Sequence, residues 1–236
     1  MGMRQKTHAR DWRENASKKS IFVSDFMHHA FPVLRKRGGI KKILDVACGN
    51  GLGVSLPLLR KGYRVHAFDH TKAAIDAAQK NAREEGFRFN TRKASMYTTF
   101  PHKTNTFDAT FCFQAIYHGR LEDIMLTMSE IRRVTKPGGL FLATFLSHDM
   151  IQFEKGRFFI TVRLPDGNVI RNYHKQDSSE PHLFYYLSKD FEYMQPHYYF
   201  SRDELKVIMG QFFRDIKIKK VSRDDRSHFW FAYGSV

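Results

Sequence analysis

The sequence predicts an α/β fold built on a doubly wound, mostly parallel sheet, and three observations predict it. Short apolar runs alternate with segments carrying one apolar stripe of helical period, from residue 42 to residue 147. A glycine-rich turn closes the first of those runs, and two further strand-like runs end the chain. Such alternation implies parallel strands joined by right-handed crossover helices lying on both faces of the sheet.

The elements follow in order. Residues 20–37 carry Phe22, Phe26, Ala30 and Val33 at helical spacing, with Pro32 expected to kink or restart the helix and Gly38 and Gly39 to end it. Residues 42–48 form a buried strand running into the glycine turn, and residues 52–61 a helix closed by Gly62 and distorted by Pro57. Residues 64–69 are a second strand. Thr71 caps the next helix, whose Ala74, Ile75, Ala78 and Ala82 share a face before Gly86 ends it. Residues 87–93 and 107–113 give a third and a fourth strand. A helix over 121–134 aligns Ile124, Met128, Ile131 and Val134, residues 136–139 (KPGG) end it, and residues 140–146 are a fifth strand. The pattern then changes. Residues 158–173 alternate around Pro165, Asp166, Gly167 and Asn168, a hairpin signal, while 174–200 mix polar and aromatic residues with no clear period. Ser201 and Glu204 make a capping box opening a helix to residue 213, and 216–221 and 228–233 are the closing strands. The expected layout is one domain, with an N-terminal helical segment (1–40), a ligand-binding core (41–147), an inserted cover (148–200) and a closing helix and strand pair (201–236).

Composition bounds the function. Hydrophobic residues are 42% and charged residues 27% of 236, which excludes wholesale disorder. No apolar run reaches the roughly 18 residues of a membrane-spanning helix, and the N-terminus lacks the apolar core of a signal peptide. The two cysteines, Cys48 and Cys112, fit a reducing compartment and no disulfide or zinc scaffold. A soluble, cytoplasmic protein is expected. The net charge of +15 raises a nucleic-acid reading. More than half of the excess lies in residues 1–42, where 11 basic residues face 3 acidic ones, as in Arg35, Lys36, Arg37, Lys41 and Lys42. A solvated basic face accounts for it as well.

The segment carrying chemistry is DVACGNGLG, residues 45–53. Glycines there let the backbone pass close to a ligand and turn into a helix whose N–H groups face it. Asp69 follows Gly49 by 20 residues, at the end of the second strand, where a carboxylate can accept from both hydroxyls of a ribose. The combination predicts an adenosine-type cofactor across the carboxyl ends of the strands. The spacing is GxGxG, with Val54 where a dinucleotide fingerprint has its third glycine, which disfavours a nicotinamide oxidoreductase.

On these residues, on Phe107 and Asp108 opening the fourth strand and on the VTKPGG run of 134–139, the sequence resembles the S-adenosylmethionine-dependent methyltransferases with a Rossmann-like, seven-stranded sheet and an antiparallel final strand. In detail it resembles the small-molecule type 11/25 and tellurite-resistance-like groups. The resemblance implies that Asp45, Ala47, Cys48, Gly49 and Gly51 surround the methionine part of S-adenosyl-L-methionine. Asp69 would hold the ribose with His70 beside it, and the Gln114 backbone would meet the ammonium group. Where the family often places an acid for the adenine, this chain has Ala94, Ser95, Met96 and Tyr97. Ser95 is the expected polar contact there and Met96 the packing one.

Methyl transfer is an in-line displacement accelerated mainly by positioning and exclusion of water. His118 is the candidate base and Tyr117 the candidate orienting hydroxyl. Packing of His118 against the following helix is the alternative. Residues 148–200 hold 12 of the 34 aromatic residues and are close to neutral, as expected of a cover over a small, partly apolar acceptor. His148, His174, His182 and His197 match no metal spacing, and no metal is expected. RNA is the less favoured partner: no Pro-Pro-Tyr-like base motif is present, and Cys112 lies within a strand. A non-catalytic adenosyl-binding module stays open, as does the oligomeric state.

Overall fold

The computed structural model describes residues 24–163, 168–187, 194–222 and 228–236. Helix α1 (Ser24–Arg37) leads into β1 (Lys42–Val46), α2 (Ser55–Arg60), β2 (Arg64–Asp69), α3 (Lys72–Glu84), β3 (Asn90–Lys93), β4 (Phe107–Cys112), α4 (Leu121–Val134) and β5 (Thr135–Ser147). A segment with β6 (Gln152–Glu154), β7 (Arg157–Arg163), β8 (Val169–Gln176), β9 (Leu183–Tyr186) and β10 (Pro196–Phe200) follows. The chain closes with α5 (Arg202–Gly210), β11 (Arg214–Ser222) and β12 (His228–Ser235).

The core sheet runs β3-β2-β1-β4-β5-β12-β11, with β12 antiparallel to both of its neighbours. Its inner strands are buried on both faces, as the continuous apolar runs of β4 and β5 require. Helix α3 buries Ala74, Ile75, Ala78 and Ala82, and Thr71 accepts the Ala74 N–H at 3.1 Å as its cap.

Several boundaries differ from the sequence reading. Helix α1 runs unbroken through Pro32. Pro32 and His28, whose carbonyl loses its partner, are both exposed, so water can satisfy that oxygen. The third strand begins at Asn90 and the first crossover helix at Ser55, later than periodicity indicated. Residues 136–139 lie inside β5. Phe22 and the hairpin residues Pro165, Asp166 and Gly167 lie outside the described residues, although β7 and β8 on either side pair antiparallel as the hairpin signal predicted.

The largest departure is in residues 174–200, which hold the end of β8 and all of β9 and β10. Strands β6 to β10 form an antiparallel extension, and β10 rejoins the core by pairing in parallel with β5 (Tyr199 with Leu146, Phe200 with Ser147). The other edge of β5 is occupied at Leu146 by Phe229 of β12. Strand β10 therefore continues the line of β4 beyond Cys112, past the carboxyl ends of the central strands. No helix among the described residues is long and apolar enough to cross a membrane.

Candidate active site at the carboxyl ends of the central strands

Strand order reverses between β1 and β4, and the chain leaves both strands through left-handed backbone. Ala47 has φ 56° and Gln114 φ 54°, conformations rare for residues with a side chain. Gly49 (φ 54°) and Gly51 (φ 75°) continue the turn after β1. A Cβ on Gly51 would stand 3.2 Å from that of Ala78, so glycine lets the turn press onto α3. A Cβ on Gly49 would meet nothing within 4 Å, leaving open space beside that backbone.

Asp69 ties this turn to β2. The pairing of Val46 with Phe68 brings Asp69 level with Ala47, and its Oδ2 accepts the Gly49 N–H at 3.0 Å. Oδ1 accepts the Thr71 N–H at 3.0 Å, and His70 Nδ1 lies 3.3 Å away. Burial pushes this carboxyl up, but the bonds from His70, Thr71 and Gly49 outweigh it and hold Asp69 below the usual carboxylate range. Asp69 is thus an anion at a buried strand end.

Asp45 is the opposite case. It is 2% exposed, and its Oδ2 accepts from Ser55 Oγ at 2.6 Å. Burial dominates and raises its pKa to about 7, with the Asp69 charge adding to the rise. Cys48 donates its N–H to Phe68 O at 3.0 Å, and burial raises its thiol well above the usual range.

At the end of β4, Gln114 is held by Thr144 of β5, whose Oγ1 accepts the Gln114 N–H at 2.7 Å. Tyr117 donates its hydroxyl to Gln114 Oε1 at 2.9 Å, so the oxygen predicted to orient a substrate orients Gln114. His118 is 8% exposed and packs against Tyr117 and against His197 of β10, each at 4.5 Å between ring centroids. The Nδ1–H of His197 donates to Gln195 O at 3.1 Å. Thus His118 packs against the cover strand β10, whereas the sequence offered the following helix as its packing partner.

After β3, Ser95 Oγ accepts the Tyr97 N–H at 3.1 Å, and the Met96 carbonyl accepts from Thr127 of α4 at 2.9 Å. Ser95 shapes the loop through a local bond, and Met96 ties it to α4. Tyr97, given no role by the sequence, lays its ring 3.2 Å from the position of a Cβ on Gly119, and its hydroxyl is buried with no hydrogen-bond partner among the described residues. A buried hydroxyl costs free energy until something bonds it. Among the described residues no group of three metal-binding side chains converges.

The chain is similar to known proteins in sequence and in fold. Residues 43–139 match the family model described as a methyltransferase domain. A ubiquinone biosynthesis O-methyltransferase of Actinobacillus pleuropneumoniae is 28% identical over 147 residues, 59% of this chain and 61% of that protein. The matches to the first curated relatives span between about a third and three fifths of their length. Two solved structures share the fold. One is a SAM-dependent methyltransferase of Methanosarcina mazei (TM-score 0.66, 17% identity, 87% of this chain and 97% of that one). The other is the 1,6-didemethyltoxoflavin-N1-methyltransferase of Burkholderia thailandensis, solved with bound 1,6-didemethyltoxoflavin and S-adenosylhomocysteine (TM-score 0.63, 15% identity, 90% and 78%). By this family match the segment 43–139 is a methyltransferase domain, and the sheet around it has the fold of solved SAM-dependent methyltransferases.

Proposed function

We propose that the chain transfers a methyl group from S-adenosyl-L-methionine to an O, N or S atom of a small, partly apolar acceptor. The observation that carries this reading is the Gly49–Asp69 bond, which joins an open glycine cradle to a buried anion at the point where strand order reverses. The residues present fit an adenosyl ligand. Open space lies over Gly49, and Asp69 has lone pairs beyond those used by Gly49 and Thr71 for ribose hydroxyls. Tyr97 offers a buried hydroxyl beside the loop where the family's adenine acid is missing.

When bound, the cofactor supplies an electrophilic methyl on a sulfonium. In this reading Asp45, Gly49, Gly51 and the Gln114 backbone hold the amino-acid end of the ligand, and Asp69 with His70 holds the ribose. Ser95 and Met96 shape the base-side loop. His118 takes a proton from the acceptor when the acceptor arrives protonated. Tyr117 fixes Gln114 in its left-handed conformation. The cover's rings exclude water, so most of the acceleration comes from alignment.

Residues 1–23 of the basic run lie outside the described residues, and its described part, residues 35–42, does not favour an RNA acceptor. The Arg37 guanidinium is bound to the Gly138 carbonyl, with Nη2 at 2.6 Å, and the backbone N–H groups of Lys41 and Lys42 donate to Asp108. Lys42 starts β1 and Asp108 lies near the start of β4, so these cations stand at the amino ends of the strands, opposite the glycine turn. A panel of small phenols, amines and thiols, with total RNA as control, tests the proposal using isotopically labelled cofactor. Methylation of a panel member that is nearly insensitive to salt and unchanged in the Arg35→Glu/Lys36→Glu variant is expected. Transfer to RNA that falls steeply as salt rises and disappears in that variant would overturn it.

A further inference from the structure

Helix α4 follows directly on the segment 114–119, yet its first turn is not capped by the residue before it. Arg120 stands at the N-cap, and a guanidinium cannot accept a bond from the first turn. Asp123 reaches back to accept the Arg120 N–H at 3.2 Å, which leaves the next donor, Leu121, to be satisfied from elsewhere. The acceptor comes from the cover. Glu180, 59 residues away, accepts the Leu121 N–H on Oε2 at 3.1 Å, placing an anion at the positive end of α4. The Arg120 guanidinium pairs with the other oxygen of Glu180 and, at 3.0 Å, with Asp177.

The carboxylates are themselves built in. Asp177 Oδ1 accepts from Ser179 N at 2.8 Å, Ser179 Oγ at 2.7 Å and Glu180 N at 3.2 Å, a turn that presents Glu180 to the helix. Tyr185 of β9 donates its hydroxyl to Asp177 Oδ2 at 2.9 Å and accepts from Arg120 at 3.3 Å. Arg120 and both acids keep less than a quarter of their side-chain surface exposed, so their pairing is screened less than a surface salt bridge. A second tie lies three residues earlier, where the Tyr198 N–H of β10 donates to the Tyr117 carbonyl at 2.8 Å. The segment bearing Gln114, Tyr117 and His118 is therefore gripped by the cover at Tyr117 and again at Arg120.

We propose that Arg120, acting with Glu180 and Asp177, is a positioning residue that fixes the segment 114–119, and with it His118, against the cover. The meaning of that segment for catalysis depends on the methyl-transfer reading above; the clamp itself does not. Arg120 touches neither cofactor nor acceptor in this account. It holds the groups that do.

Hydrogen exchange followed by mass spectrometry on Arg120→Gln, Glu180→Gln and the double variant tests it, with thermal unfolding to confirm that each folds. Residues 114–121 and 177–187 are expected to gain exchange together by about tenfold or more, while 64–84 stay protected. The double variant should be no worse than Arg120→Gln, because both changes break one unit. Because Thr144 anchors the Gln114 N–H independently of the clamp, S-adenosylhomocysteine affinity by calorimetry should fall by no more than about threefold. With an acceptor from the panel, kcat should fall about tenfold to a hundredfold while the KM for the cofactor holds, and Arg120→Lys should recover part of the loss. Exchange confined to 177–187, or additive effects of the two changes, would overturn the clamp. An unchanged kcat in Arg120→Gln would overturn its positioning role. Should the wild-type protein bind no S-adenosylhomocysteine, the methyl-transfer reading fails separately, and the coupled exchange still decides the clamp.

Discussion

Asp69→Ala is expected to weaken S-adenosylhomocysteine binding by an order of magnitude or more, and to destabilise the empty protein as well. Each charge-assisted bond from the carboxylate to a ribose hydroxyl contributes about 1.5–3 kcal/mol, which is roughly a tenfold to hundredfold change in affinity. The same carboxylate accepts the Gly49 and Thr71 N–H groups, so alanine also leaves those donors without their partner. An unpaired buried N–H costs about 1–3 kcal/mol, enough to lower the melting temperature by several degrees. A strand-end position alone would let the fold tolerate the loss of Asp69, but the bonds to the glycine turn give it a structural share. Asp69→Asn separates the two effects, since an amide oxygen can still accept one of these N–H groups. An Asp69→Asn protein that is stable but binds weakly in calorimetry is the expected result, and wild-type affinity in both variants would place the ribose elsewhere.

Asp45→Asn is expected to stabilise the protein at pH 8 and to weaken cofactor binding. Burial raises the Asp45 pKa to about 7, whereas the unfolded chain loses that proton near pH 4. Between those values the folded state binds more protons than the unfolded one, so this group's contribution to stability falls as pH rises through that window. A raised pKa of this size corresponds to about 2–4 kcal/mol withheld from stability above pH 7. Asparagine removes the charge and keeps an acceptor for Ser55 Oγ. Wild type and variant should therefore unfold alike near pH 4 and diverge by pH 8, with the variant the more stable. In the proposed function the retained charge faces the cationic amino-acid end of the ligand, so the variant should bind S-adenosylhomocysteine about tenfold more weakly. Denaturant titrations at the two pH values check the first part; a variant less stable than wild type at pH 8 would contradict the burial argument.

The core sheet was legible because its signals are local. A 3.6-residue stripe marked α3 through Ala74, Ile75, Ala78 and Ala82, continuous apolar runs marked the doubly covered strands, and the glycines and Asp69 marked the turn between β1 and α2. Strand β10 was not legible. His197, Tyr198, Tyr199 and Phe200 are all buried, so no polar-apolar alternation survives. Nor could spacing show that Thr144 holds Gln114, or that Glu180 caps α4, since both depend on pairs separated by 30 and 59 residues. Tyr117 illustrates the limit from the other side: the sequence read its hydroxyl as an orienting group for a substrate, and the fold gives that hydroxyl to Gln114. Residue type and neighbourhood can be read along the chain, but partners require the fold.

In the proposed function the glycine turn and Asp69 form an adenosyl-sulfur site and not a dinucleotide site. Calorimetric titration of the wild-type protein with S-adenosylhomocysteine and, in parallel, with NADH tests it most directly. A ligand that binds only the folded state also raises the melting temperature in step with its affinity, which gives an independent readout on the same samples. Saturable binding of S-adenosylhomocysteine with a raised melting temperature, and neither effect from NADH, is the predicted result; saturable binding of NADH with no response to S-adenosylhomocysteine would contradict it.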